Sequence, residues 1–257
     1  MKTLIFDLDG TMYRGNEIIE SAHQFLDYCI LNKIPFLFMT NNSMRTPEEN
    51  VQHMLKMGYT NISPDMFYNS AMAACQYVKH NYSQKKAFYI GKEGMRQALI
   101  HEGFVITDKD PDFVFVGLDK DGTYATYSKA LSFLLNGAKL IGTNSDRILA
   151  KPHGFEVGNG SVVHMFEYAT QQESPKIAKP YRPILELCLN YFYLKENEVI
   201  LIGDNLETDI KLGFENNIDT IFVQTGVHKK EDIDFLKIYP TYTVETLMDV
   251  VKFGLLD

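Results

Sequence analysis

Short apolar runs alternate along the chain with longer segments in which apolar residues recur at helical spacing. The first run covers residues 4–6 and the second covers 34–39, and both stop at polar residues. Unbroken apolar runs of this length are typical of strands buried on both faces of a parallel sheet. Helical segments fit at about 21–32 and, after a Thr-Pro-Glu-Glu start, from residue 46 onward. The pattern therefore predicts a strand–helix repeat.

The same alternation continues at 66–80 and returns near the end of the chain. A strand is predicted at 66–68 with a helix at 71–80, and later strands at 199–202 and 220–223 flank a helix that ends near residue 215. Strands that alternate with helices in this way favour an α/β fold in which a parallel sheet is covered by helices. We predict that the early and late segments form two halves of one sheet.

A second αβ pattern lies between these halves. Strands are predicted at 87–90, 113–116 and 139–142, with helices near 94–102 and 127–136. The expected division is a core domain formed by residues 1–80 and 178–257 and an inserted αβ domain formed by residues 81–177.

The amino-acid composition limits the kinds of partner and the cellular compartment that we expect for this protein. The chain has 257 residues with 45% hydrophobic and 23% charged residues, which is typical of a folded protein. A net charge of −8 without a basic stripe argues against a nucleic-acid partner. Three widely spaced cysteines favour neither a disulfide framework nor a zinc site. Neither a signal peptide nor a membrane span fits the first apolar run, so we expect a cytoplasmic protein without a membrane partner.

Acidic residues follow two of the predicted strands. Asp7 and Asp9 are two residues apart, so strand periodicity places both on one side of a strand end, and Asp204 follows the 199–202 strand. Two carboxylates about 4 Å apart repel by roughly 4 kcal/mol at an effective dielectric constant of 20, so a cation is expected among them. Mg²⁺ suits carboxylate and carbonyl ligands and also accepts a phosphate oxygen. The EF-hand pattern of a calcium site is absent.

Each candidate residue also has a purely structural interpretation. The Asp7–Gly10 segment could be a strand followed by a turn, and Lys179 could be a solvated lysine. Asp204 and Asp209 could cap a helix, and Thr40 and Asn41 could form loop hydrogen bonds. These interpretations are not independent, because one real motif would bring the others beside it along the sheet edge. The absence of the glycine-lysine motif argues against P-loop ATP hydrolysis. The single Gly-Asn-Gly lacks the third glycine of a dinucleotide loop and a preceding strand.

Four short segments, in chain order, resemble the motifs of the haloacid dehalogenase superfamily of phosphatases. They are DLDGT from Asp7, TNNS from Thr40, Lys179-Pro180, and GDNLETD from Gly203. The resemblance extends over the entire chain, and the segments DLDGTMYRG, FVFVGLD and TNSD make it similar to the NagD-like subfamily. It implies a Rossmann-like core with an αβ cap domain between the second and third motifs, where the insertion is predicted.

The resemblance also implies roles in catalysis. Asp7 is expected to attack phosphorus, and Asp9 to protonate the leaving alcohol and then activate water. Thr40, with Asn41 and Asn42, is expected to bind the transferring phosphoryl group, and Lys179 to stabilise its charge.

The implied Mg²⁺ ligands are Asp7, Asp9 through its backbone carbonyl, and Asp204. Asp209 is expected just outside the metal ligands, holding waters or orienting Lys179. One departure from the family pattern is Ala178, which stands where a glycine usually precedes the lysine and whose methyl group is expected to shift Lys179 slightly.

The sequence therefore favours a Mg²⁺-dependent phosphatase that hydrolyses phosphomonoesters of small metabolites, nucleotide or sugar phosphates. A phosphotransferase of the same mechanism and a non-catalytic phosphate-sensing module are the alternatives. The cap is expected to set specificity, with Asn144 and Asp146 either facing the leaving group or forming a turn. The expected partner is a small phosphorylated molecule, and a homodimer is compatible with the pattern.

Overall fold

The computed structural model describes residues 2–151 and 154–256. Its strands are β1 (Thr3–Phe6), β2 (Tyr13–Arg14), β3 (Glu17–Ile18), β4 (Phe36–Thr40), β5 (Phe67–Asn69), β6 (Lys86–Ile90), β7 (Val105–Ile106), β8 (Phe113–Val116), β9 (Lys139–Gly142), β10 (Ile148–Lys151), β11 (Gly154–Val157), β12 (Val199–Gly203), β13 (Thr220–Val223) and β14 (Tyr242–Val244).

The α-helices are α1 (Glu20–Leu31), α2 (Pro47–Lys56), α3 (Ser70–Asn81), α4 (Glu93–His101), α5 (Tyr124–Leu135), α6 (Asn159–Thr170), α7 (Arg182–Tyr191), α8 (Lys211–Asn216), α9 (Asp232–Leu236) and α10 (Met248–Lys252). Single 3₁₀ turns lie at Pro64–Met66 and Glu196–Glu198, and a π-helical turn lies at Leu206–Ile210. None of the described helices is both long and apolar enough to cross a membrane.

The chain divides into two compact units. Unit 1 contains Met1–Thr40, Pro47–Tyr68 and Cys188–Asp257, and unit 2 contains Asn41–Thr46 and Asn69–Leu187. Helix α3 and the residues just before Cys188 group with unit 2. The division into a core domain (1–80 and 178–257) and a cap domain (81–177) stays a prediction.

The sheet of unit 1 has six strands in the order β14-β13-β12-β1-β4-β5. Strand β1 pairs in parallel with both β4 and β12, and β12, β13 and β14 are also parallel. The predicted α/β fold with a parallel sheet at its core is confirmed. The early and late halves of the chain meet where β1 lies beside β12.

Buried aromatic rings hold the central strands of unit 1 against their neighbours. Phe38 on β4 is fully buried, and its ring centroid lies 6.1 Å from that of Phe6 on β1 and 4.7 Å from that of Phe67 on β5. Such aromatic pairs contribute beyond their buried area. These ring contacts pack strands β1, β4 and β5 against one another.

Unit 2 contains a second parallel sheet, in the order β7-β6-β8-β9, and the antiparallel hairpin β10-β11. Its core includes Val114, Leu134 and Phe166. Helix α5 begins at Tyr124, three residues before its predicted start, because the Thr123 hydroxyl accepts a hydrogen bond from the Thr126 N–H and caps the helix. The hairpin was not predicted.

We expect Phe38→Ala to lower the free energy of unfolding by about 3–5 kcal/mol, because it removes a fully buried ring and leaves a cavity. Phe235→Ala is the control, since that ring is 84% exposed and its loss should cost less than about 0.5 kcal/mol. Urea unfolding of both variants measures the difference, and equal losses would contradict the assignment of Phe38 to the core.

Candidate active site

Polar residues stand at the carboxyl ends of three adjacent strands of unit 1. Asp7 follows β1, Thr40 ends β4, and Asp204 follows β12. Because β1 lies between the other two strands and is parallel to both, these ends share one edge of the sheet. The Asp7 N–H donates to the Ile202 carbonyl at 2.8 Å and extends the ladder to the first aspartate itself. Ligands bind at this edge in open α/β sheets.

Three carboxylates form a cluster at this edge. Asp7, Asp204 and Asp209 each place one oxygen within 4.8 Å of the others. Asp204 and Asp209 are buried and Asp7 is half-buried. Asp9 is exposed, lies outside this cluster, and accepts a hydrogen bond from the Gly15 N–H at 3.2 Å. The structure thus groups Asp209, rather than the Asp9 side chain, with the other two acidic residues.

The Asp204 carboxylate is held by two donors and two glycines. The Thr11 hydroxyl donates to one oxygen at 3.1 Å and the Val227 N–H to the other at 2.8 Å. A Cβ atom on Gly10 or Gly226 would lie 2.3 or 1.8 Å from that second oxygen. Gly10 also has a φ of +93°, which favours glycine. Backbone therefore packs directly against the carboxylate.

The environment of Asp204 makes its charged form unfavourable. Burial, followed by the negative charge of Asp209, raises the pKa of Asp204 from 3.8 to about 7, although hydrogen bonds from Val227 and Thr11 act in the opposite direction. A cation among these oxygens would relieve both effects. The donor set consists of carboxylate oxygens, which suit Mg²⁺ and lack the thiolate and imidazole ligands typical of zinc. The residues present fit magnesium.

A π-helical turn positions Asp209. The turn covers Leu206–Ile210, and the Asn205 side chain caps it by accepting from the Glu207 N–H at 2.9 Å. The Asp209 carboxylate accepts from the Asn205 N–H at 3.3 Å. A Cβ atom on Gly203 would lie 2.3 Å from the Cβ of Asp209, so glycine is required there for this approach. Wider turns of this type recur at functional sites.

The remaining predicted residues divide between the units. Thr40 is buried in unit 1, whereas Asn41, Asn42 and Lys179 belong to unit 2. Lys179 is 2% exposed. Its backbone N–H donates to the Asn41 side-chain oxygen at 3.0 Å, and the Asn41 amide donates back to the Lys179 carbonyl at 3.0 Å. Asn42 accepts from the Met44 N–H at 2.9 Å. The structure thus joins the TNNS segment to the Lys-Pro segment.

Several residues that support the site were not predicted. The Thr225 hydroxyl donates to the Gly10 carbonyl at 2.7 Å, and the Arg14 Nε donates to the Thr225 carbonyl at 2.8 Å. These two hydrogen bonds and the close approach of Gly226 hold the loop after β13 against Asp204. A threonine–glycine pair one residue beyond the apolar run at 220–223 was the available signal, since that strand end also points to the ligand-binding edge.

Two family models match the chain. Residues 4–105 match a model described as haloacid dehalogenase-like hydrolase, and residues 176–250 match a HAD-hydrolase-like model. These ranges contain the four motifs identified in the sequence.

Individual relatives match over nearly the full length. An acid sugar phosphatase of Staphylococcus saprophyticus is 38% identical over 252 residues, which cover 98% of this chain and 97% of the relative. A hypothetical protein of Pyrococcus horikoshii has a similar structure, with a TM-score of 0.91 and 32% identity over 99% of this chain and 100% of that one. NagD of E. coli K-12 aligns with a TM-score of 0.86 and 30% identity over 96% and 97%.

With these identities over nearly the whole length of both chains, the chain belongs to the haloacid dehalogenase-like hydrolases and, within them, to the NagD-like subfamily.

Proposed function

We propose that this phosphatase hydrolyses phosphomonoesters of small metabolites, sugar or nucleotide phosphates, with Mg²⁺ and through an aspartyl-phosphate on Asp7. The observation that carries the proposal is the cluster of Asp7, Asp204 and Asp209 at the carboxyl edge of the sheet. Relatives named acid sugar phosphatase support a sugar phosphate as substrate.

Asp7 is the proposed nucleophile and Asp9 the proposed acid and base. A carboxylate oxygen of Asp7 forms a bond to phosphorus while the ester P–O bond breaks, and the leaving alkoxide takes a proton from Asp9. Asp9 then removes a proton from water, whose oxygen attacks the phosphorus and breaks its bond to Asp7. Orthophosphate leaves, Asp7 is again a carboxylate, and Asp9 again carries the proton with which it began the cycle. The exposure of Asp9 suits a group that must reach both alcohol and water.

The acidic cluster is the proposed Mg²⁺ site. Asp7 and Asp204 would hold the ion together with the Asp9 carbonyl, and Asp209 would bind it directly or hold its waters. Bound Mg²⁺ compensates the negative charge of these carboxylates and of the phosphoryl oxygens. Thr11 and the Val227 N–H hold Asp204 in one orientation.

The family resemblance assigns the remaining charge stabilisation. Thr40 would donate its hydroxyl hydrogen to a phosphoryl oxygen, with Asn41 and Asn42 in the same loop, and the Lys179 ammonium would offset the charge of the transferring group. Burial of Thr40 and Lys179 supports this assignment, because electrostatic interactions are stronger away from water.

Asp7→Asn should lower Mg²⁺-dependent hydrolysis of p-nitrophenyl phosphate at least about a thousandfold, because the amide keeps the shape of the carboxylate but loses the nucleophile. Acid-quenched wild-type protein should carry one phosphoryl group by mass spectrometry, and the variant should carry none. Asp27→Asn, an exposed aspartate outside the site, is the control and should retain activity.

Retention of activity by Asp7→Asn would contradict the mechanism. Transfer of the phosphoryl group to added glycerol in preference to water would identify a phosphotransferase, and a long-lived phosphoprotein without turnover would identify a sensing module.

The metal-free protein should lose stability as pH rises from 3.8 to about 7, because the folded state binds the Asp204 proton more tightly than the unfolded chain does. Below this window both states are protonated and the effect is absent, whereas above it the loss is complete and on the order of 4 kcal/mol. Urea unfolding in EDTA across this window measures the slope.

Asp204→Asn is the matched variant and should flatten this part of the profile. Parallel profiles for the two proteins would show that Asp204 titrates normally. Adding Mg²⁺ at pH 8 should stabilise the wild type and not the variant, since a ligand that binds only the folded state stabilises it.

Gly226→Ala should weaken Mg²⁺ binding by about tenfold or more, because its Cβ would occupy the position of an Asp204 oxygen. Gly213→Ala is the control: its Cβ would lie 2.2 Å from a methyl group of Thr220, so it should also lower stability but leave Mg²⁺ affinity unchanged. Isothermal titration calorimetry gives both affinities, and equal affinities would remove Gly226 from the site.

A further inference from the structure

The Asn41 side chain is committed to hydrogen bonds within unit 2. Its oxygen accepts from the Lys179 N–H at 3.0 Å, and its amide nitrogen donates to the Lys179 carbonyl at 3.0 Å and to the Asp146 carboxylate at 3.1 Å. One primary amide has two hydrogens to donate, so both are used. The Asn41 side chain therefore bonds to both the N–H and the carbonyl of Lys179, as the backbone of a neighbouring strand would.

The loop after β9 holds Asn41 at a second point. The Asn41 backbone carbonyl accepts from the Asn144 amide at 2.8 Å and from the Ser70 hydroxyl at 2.6 Å. The Asn144 side-chain oxygen in turn accepts from the Asp146 N–H at 3.2 Å. Asn144 and Asp146 thus form a turn. Within this turn, Asn144 bonds to the backbone of Asn41 and Asp146 bonds to its side chain.

This network is polar and, apart from the half-buried Asp146, buried. Asn41 and Asn144 are each 9% exposed and Lys179 is 2% exposed. A hydrogen-bond network that is satisfied inside a protein fixes one geometry, because any displacement leaves buried polar groups without partners. The backbone of Lys179 therefore has little freedom to move while the network is intact.

We infer that Asn41 is a positioning residue for Lys179 and that Asp146 holds Asn41 in that role. This inference rests on the proposed phosphoryl transfer and on the charge-stabilising role of Lys179. It departs from the expectation that the Asn41 side chain binds the phosphoryl group. Of the two alternatives for Asn144 and Asp146, a turn or a contact with the leaving group, it favours the turn. The turn after β9 then acts on catalysis through Lys179.

A double-mutant cycle separates positioning from direct contact. Asn41→Ala, Lys179→Met and the double variant are compared with wild type by calorimetric titration with orthovanadate in the presence of Mg²⁺. We expect about a hundredfold weaker binding for Lys179→Met and about tenfold for Asn41→Ala, from the usual strength of charged and neutral hydrogen bonds. The double variant should bind as weakly as Lys179→Met and no more weakly, because Asn41 acts through the lysine.

Two substrates test the role of Asp146. Asp146→Ala should lower kcat by the same factor with p-nitrophenyl phosphate and with a sugar phosphate, and change KM little, because Lys179 acts on the phosphoryl group common to both. Asp146→Asn keeps an acceptor oxygen and should recover most of the loss. Asp108→Ala, which removes an exposed ion pair with Lys129 in the same unit, is the control and should match wild type.

The outcomes distinguish this inference from the proposed function. If Lys179→Met binds vanadate like wild type and Asp7→Asn keeps its activity, the proposed function and the inference both fail. If Lys179→Met weakens binding but the Asn41 and Lys179 losses multiply, Asn41 contacts the phosphoryl group itself and only the inference fails. A loss confined to the sugar phosphate in Asp146→Ala would place Asp146 at the leaving group and would also overturn it.

Discussion

The repulsion among buried carboxylates is the constraint on which the rest of this structure depends. Asp204 and Asp209 are held in the interior beside Asp7, where each negative charge raises the cost of the next. Hydrogen bonds from Thr11 and from the Val227 N–H offset part of this cost. The grouped oxygens also match the ligands that a divalent cation such as Mg²⁺ prefers. An acidic cluster of this kind destabilises a protein that lacks its metal and prepares it to bind one.

Strand order is what brings the acidic residues together. Asp7 and Asp204 are far apart in the sequence, yet they follow strands that are hydrogen-bonded neighbours. The TNNS loop and the lysine are joined in a different way, through the Asn41 amide rather than through the sheet. The molecule thus uses a ladder of backbone hydrogen bonds to bring together Asp7 and Asp204, the proposed nucleophile and metal ligand. It uses a side-chain network to hold the backbone of Lys179.

Much of the fold could be predicted from the sequence because hydrophobic periodicity is a local signal. The strands at 113–116, 139–142 and 220–223 lie where their apolar runs predicted them. The hairpin β10-β11 was missed because Ile148 and the four residues of β11 are exposed, so its apolar residues do not alternate as they do in a strand with one buried face. The candidate nucleophile and Asp204 could be proposed from motif spacing. The contacts of Asn41 and Asp146 could not, because they join residues whose separation in sequence carries no periodic signal.

The contacts between Asp204 and glycine backbone have an evolutionary consequence. Gly10 and Gly226 present main-chain atoms to the carboxylate, and main-chain atoms are the same whatever substitutions accumulate around them. Substitutions elsewhere in the chain therefore leave these main-chain contacts of Asp204 unchanged. Sequence divergence in the rest of the protein is thus compatible with a constant position of the Asp204 carboxylate.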